Sequence, residues 1–312
     1  MLAESGPLEV SQVKRVLILS AIGLGVLGLV AAYSDNTEQA KFSTRAENEA
    51  DARKRKIEVE LKELGEHPWA GKYYEGDGLG VGVSLWIAPK SGFVFEWHGC
   101  LGVYDRNYGP VSVADKKLQL SFTFPNTREG FQGLSPELIP VSWGQRRYLV
   151  PPDRIVDFCN SVNAGNEPRK GIYGLHLLRR GDEKKSVQGW PNIPREFDRY
   201  LLKQAISTEI VAVGAVQTRP SAADWKFKDT RVTLKGGEDL GLRKGMELHV
   251  TAPDDVVESI SVREVKEHTS EGVMTGIGVE TPNPKVGWKL STQPRWARPG
   301  QTADNAGKPG GQ

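Results

Sequence analysis

Beyond residue 67 the chain alternates apolar and polar positions in short runs cut by Gly, Pro, Asn and Asp, and this is the pattern of half-buried strands joined by turns. The stretch GDGLGVGVSLWIA shows it first. Leu79, Val81, Val83, Leu85 and Ile87 fall on one face of a strand, and Gly78, Gly80, Gly82, Ser84 and Trp86 on the other. A face of bare glycine admits a close neighbour, and Trp69, Tyr73, Phe93, Phe95 and Trp97 are the rings expected to fill it. Turn residues at Pro89 to Gly92, Asp105 to Asn107 and Asp115-Lys116 punctuate an antiparallel meander. Further strands are expected at residues 119–124, 141–150 and 172–178. Pro151-Pro152-Asp153 opens a helix near 153–164, on which Ile155, Phe158, Cys159 and Val162 share one face. After the rigid Trp190-Pro191-Asn192-Ile193-Pro194 joint come a short helix at 195–202 and a strand at 205–217. Strands near 258–265, 272–279 and 288–292 follow. The reading is a mainly β protein, with a first β domain at 67–190, a small β-barrel at 191–292 and a disordered Gly- and Pro-rich tail at 293–312.

The N-terminal part has a different pattern. Residues 16–34, VLILSAIGLGVLGLVAAYS, carry no charge, follow Lys14-Arg15, and form the stretch long enough to cross a bilayer. Two readings stand: an uncleaved membrane anchor, favoured by its length and by the charged helical stalk at 35–66 that follows it, or a signal peptide cut near Ala32-Tyr33-Ser34. The Lys-Arg pair places residues 1–15 in the cytoplasm and the bulk of the chain outside, in the periplasm, while Arg53-Lys54-Arg55-Lys56 argues mildly against that orientation. That basic run alternates with carboxylates and reads as a solvated helix face. Ala21, Gly25, Gly28 and Ala32 share one face of the apolar segment, where a second copy could approach to form a homodimer.

Composition narrows the partners. Basic and acidic residues number 41 and 39, for a net charge of +2, which gives no field for a nucleic-acid backbone, so no nucleic-acid partner is expected. Two cysteines, Cys100 and Cys159, are too few for a disulfide framework or a cysteine-only zinc site. Gly-x-Gly-x-Gly at 78–82 lacks a following helix N-terminus, so it predicts no nucleotide, and no cofactor or metal is expected.

The candidate chemistry lies in FEWHGCLGVYDRNYG, residues 95–109. On a strand Glu96, His98 and Cys100 share a face. An imidazole can lower a thiol's pKa, and Glu96 or Asp105 could orient that imidazole. Alternate side chains of one strand run parallel instead of converging, so the favoured reading is structural, with Gly99, Gly102 and Gly109 marking bulges and turns. The rival is an exported hydrolase using Cys100 with His98 or His176. Trp97, Tyr104 and Tyr108 are the interaction candidates.

Two resemblances add expectations. Trp69-Ala70-Gly71-Lys72-Tyr73 before the meander resembles the start of the first strand of lipocalin-like barrels, which implies a barrel able to carry a small apolar ligand. Gly237, Gly241, Gly245-Met246, Val262 to Val265 and Gly287, within residues 228–292, resemble the small SH3-like barrels of bacterial envelope and flagellar assembly proteins. In that family the barrels are interaction modules. The leading expectation is therefore a membrane-anchored, non-catalytic binding or scaffold component of the cell envelope whose partner is a protein or another envelope component.

Overall fold

A computed structural model describes residues 47–76, 82–99, 102–125, 134–168, 176–220, 226–277 and 281–295. The hydrophobic segment with its small-residue stripe, Gly78, Gly80, Cys100 and most of the tail lie outside the described residues. Among those that are described, no helix is long and apolar enough to cross a membrane. The chain divides into two units at Ala52 and Arg53. In the first, residues 47–52 are helical. The second holds a helix, α1, at residues 53–64, then the β structure.

Nine strands form the first sheet: β1 (Gly71–Gly76), β2 (Gly82–Ala88), β3 (Gly92–Gly99), β4 (Gly102–Gly109), β5 (Val111–Ala114), β6 (Lys117–Leu120), β7 (Glu137–Trp143), β8 (Arg146–Val150) and β9 (Leu177–Arg179). Their order is β4-β3-β2-β1-β9-β8-β7-β6-β5. The two end strands are consecutive in the chain, joined through Pro110 alone, so the sheet curls until its edges meet. Ser121 N–H donates to Pro110 O (3.1 Å) and Thr123 N–H to Tyr108 O (3.0 Å), which ties the chain after β6 to the end of β4. Gly109 permits this approach, since a Cβ there would stand 1.8 Å from Ser121 O.

Alternation decides which side chains enter. Tyr73, Val83, Leu85, Ile87, Phe93, Phe95, Leu118, Leu120, Leu134, Leu138, Leu149 and Leu177 make one buried cluster, with Trp97 packed against it. Gly82 does admit an aromatic ring, but the ring is Tyr74, 3.0 Å from where a Cβ would sit. Tyr73, Phe93 and Phe95 fill the opposite, inner face because their strand parity sends them there.

On β7 to β9 both faces are apolar because both are covered. Ile139, Val141, Tyr148, Val150 and Leu178 pack outward against Ile155, Phe158, Cys159 and Val162 of helix α2 (Ile155–Asn163). α1 covers β2 to β4 with polar contacts around buried Ile57. Arg53 donates to Ser91 O (2.9 Å) and Gly109 O (3.2 Å), and Glu60 accepts Lys90 N–H (2.8 Å) and Ser91 N–H (2.7 Å). The helix charges that read as solvated thus hold the β2–β3 turn.

The second β structure is a closed barrel of order β10-β11-β14-β13-β12-β15. Its strands are β10 (Ser207–Pro220), β11 (Lys226–Lys235), β12 (Glu247–Ala252), β13 (Ser259–Val265), β14 (Thr269–Ile277) and β15 (Lys289–Ser291). Ile210, Val232, Leu234, Leu248, Ile260, Val262 and Leu290 belong to its core. α2 also meets this barrel. Asn160 Nδ2–H donates to Gly245 O (2.9 Å), its Oδ1 accepts Glu247 N–H (3.3 Å), and Asn163 donates to Tyr200 O (2.8 Å).

Candidate functional site

Of the residues singled out at 95–109, Glu96 and His98 sit on the outer face of β3, whereas Trp97, with Asp105 opposite it in the register, is on the inner face. Glu96 is 6% exposed, and its carboxylate is held by Lys54 (3.3 Å) and Arg106 (3.2 Å). Lys54 also lies 3.7 Å from the centre of the Trp86 ring. His98 Nε2 faces Ser84 Oγ at 3.3 Å, and burial lowers the imidazole's pKa against the opposing pull of Glu96. Asp105 accepts its neighbour Arg106 N–H (2.8 Å). A serine beside an imidazole has the ingredients of a nucleophile. Ser84, however, is only 2% exposed, and the carboxylate that could orient the ring serves two cations instead. The cluster's evident work is to fasten α1 to the sheet.

The aromatic candidates divide. Trp97 and Tyr104 meet edge to face at 5.1 Å near the tip of the β3–β4 hairpin. Tyr108 is buried, under the Arg53 guanidinium at 5.6 Å and against Phe124. Cys159 is buried in the α2 face, where desolvation pushes its thiol up to about 12, the reverse of an activated thiolate. His176 lies beneath α2, its ring nitrogens facing Pro168 O and Arg154 O, with Phe158 edge-on at 5.6 Å. Burial lowers its pKa while the two carbonyls oppose the shift. Cys100, the thiol of the hydrolase reading, lies outside the described residues. Among the described residues no group of three or more His, Cys, Asp or Glu is placed to hold a metal ion.

The inner face of the first sheet is filled by its buried cluster. Two open surface cavities border the β structure. One, about 390 Å³, is lined by His67, Ser142, Arg147, Arg179 and Asn192 among others. The other, about 630 Å³, lies between Glu209, Lys235, Asp239, His268 and Lys289 on the small barrel. Both are lined by polar pairs made within the chain: the ion pairs of Arg179 with Asp182 and of Lys235 and Lys289 with Glu209, and the contact of His268 Nδ1 with Asp239.

Strand β10 has a different character. Its edge pairs with β15 at residues 207–209, and Ile210 closes that ladder by donating to Trp288 O (3.0 Å) and accepting Gly287 N–H (2.8 Å). From Val211 to Arg219 every residue is exposed, and among the described residues this edge has no strand beside it. The register with β11 slips between Ile210 and Ala212 and again between Val213 and Val216. Two such bulges replace a period of two by steps of three. Ile210, Val213 and Val216 therefore share the face of their partners Leu234, Val232 and Thr230. Ile210 is in the core, whereas Val213 and Val216 remain 38% and 47% exposed.

No family model, curated protein or solved structure matches the chain. The assignment of a role therefore rests on geometry. The exposed part of β10 was read from the sequence as an ordinary strand. A signal for more was present: Ile210 to Thr218 contains no charge, between Glu209 and Arg219. Natural edge strands are usually blunted by charged side chains along their length.

Proposed function

We propose that the chain is a non-catalytic binding or scaffold component of the cell envelope that engages its partner along the free edge of β10. The observation that carries this reading is the run from Val211 to Arg219, exposed throughout and uncharged until its last residue, with Val211, Val213 and Val216 at 42%, 38% and 47% exposure. An extended partner segment laid along such an edge gains main-chain hydrogen bonds, and side-chain pockets give it specificity. Anchoring through residues 16–34, with both β structures outside the cytoplasm, belongs to the same proposal and is supported by the uncharged segment behind Lys14-Arg15.

Site-directed photo-crosslinking in the producing cells tests it. A benzophenone side chain at Val213 or Val216 is expected to trap a discrete adduct in carbonate-washed membranes. The same group at Val113 or Val257, valines that are 58% and 87% exposed elsewhere, is expected to trap none. Equal labelling at all four positions, or none at any, would remove the β10 edge as the binding surface.

A further inference from the structure

We infer that the surface cavity beside Arg147 binds the anion of a small organic acid, its carboxylate held by the Arg147 guanidinium. The inference is independent of the β10 edge. Register places the groups. Ser142 of β7 is opposite Arg147 of β8, and Arg179 of β9 is opposite Tyr73 of β1. The β8–β9 register, which pairs Tyr148 with Leu178, continues by one position to set Arg147 beside Arg179. Strand parity turns this row to the inner face, because Leu138, Leu149 and Leu177, of the same parity on their strands, belong with Tyr73 to the inner cluster. The row lies just past the end of that cluster. Ser142, Arg147 and Arg179 line the cavity of about 390 Å³ together with Asn192, and Pro68 and Pro140 give it an apolar wall.

Like charges side by side on a sheet repel, and the chain answers only one of these two. Arg179 is committed: it gives Nε–H to Asp182 (3.1 Å) and Nη1–H to His67 O (3.2 Å), and its Nη2 stands 4.0 Å from Glu66. Asp182 also pairs with Lys185 (2.7 Å) and meets Arg147 through the main-chain N–H alone (3.0 Å). The half-buried Arg147 guanidinium donates through Nη1 to Gly144 O and Arg146 O, both at 3.1 Å, and among the described residues no carboxylate pairs with it. Nε and Nη2 are left over. They form the edge whose two N–H bonds run parallel and match the two oxygens of a carboxylate. Ser142 Oγ and the Asn192 amide, which have no side-chain hydrogen bond among the described residues, are further donors on the same wall. A phosphate dianion would call for a second uncommitted cation, which Arg179 is not, and the two prolines suit the apolar body of an organic acid.

The test titrates the full chain in detergent, with detergent alone as the blank, and follows the ligand by saturation-transfer difference NMR. The probes are benzoate, butyrate and benzamide, with inorganic phosphate as a competitor. Both carboxylates are expected to bind, benzamide to bind about tenfold more weakly or worse, and phosphate at equal concentration to leave benzoate in place. Arg147→Gln is expected to weaken benzoate by about tenfold or more, and Arg147→Lys, which keeps the charge without the fork, to fall between. The comparison of benzoate with benzamide needs no variant, so it decides the matter even if Arg147→Gln lowers the melting temperature. Binding of neither carboxylate, benzamide as tight as benzoate, or unchanged affinity in a folded Arg147→Gln variant would overturn the inference. Displacement of benzoate by equimolar phosphate would overturn the choice of a carboxylate.

Discussion

Replacing Asp182 with alanine is expected to destabilise the first β structure by about 2–4 kcal/mol, the cost of taking a buried acceptor from the Arg147 N–H and the partly buried Arg179 guanidinium. Asp182 is 1% exposed and gathers three donors, a distant one from β8 and two from residues three positions before and after it. Its carboxylate accepts Arg147 N–H (3.0 Å), Arg179 Nε–H (3.1 Å) and the Lys185 ammonium (2.7 Å). Arg179 also donates to His67 O (3.2 Å), so the loss should spread to the entry of β1. Asp182→Asn keeps acceptor capacity and should cost less than Asp182→Ala. Urea unfolding followed by tryptophan fluorescence measures both. A loss below about 1 kcal/mol for Asp182→Ala would show that the carboxylate is not the hub described, since that is what an exposed ion pair contributes.

Phe95→Ala should cost a similar amount, about 3–5 kcal/mol, because it removes a fully buried ring from the inner cluster of the curled sheet. Trp97→Ala should cost less despite the larger ring. Trp97 is only partly buried, so water already reaches part of the surface that the substitution would expose. The ordering, Phe95 above Trp97, is the informative result. Equal losses would mean that the inner cluster extends to the hairpin tip.

These residues also show what the sequence conveyed. Helix α2 was legible because Ile155, Phe158, Cys159 and Val162 repeat at helical spacing, and all four are buried as that spacing requires. The strands on either side of the Pro89–Gly92 turn were legible from alternation, and so was the barrel of the second β structure. Other features depend on contacts that no local pattern encodes. Asp182 looks like a loop carboxylate paired with nearby Arg179 and Lys185 until β8 brings the Arg147 N–H to it. Arg53, Lys54 and Glu60 look solvated on an isolated helix, because only the folded sheet supplies Ser91 O, Glu96 and the Lys90 and Ser91 amides as their partners.

The strand expected at 205–217 illustrates a different limit. Alternation of Ile206, Thr208 and Ile210 places it correctly, but a period of two cannot foresee the bulges that turn Val213 and Val216 onto the Ile210 face. Of the candidate chemistry, Glu96 and His98 do share a face, as strand parity demands, yet each is committed to a neighbour on another element: Glu96 to Lys54 and Arg106, His98 to Ser84. Residue type and spacing singled out these groups. What they could not convey was which of them the fold had already engaged.

The central claim is that the β10 edge is covered when the protein works. Hydrogen–deuterium exchange of the full chain reads this directly, comparing native membranes with dilute detergent. The edge-facing amides of residues 211–219 are expected to exchange slowly in the membrane and quickly on dilution, while those of β7 and β8 stay protected in both. Fast exchange along 211–219 in both preparations would contradict the account.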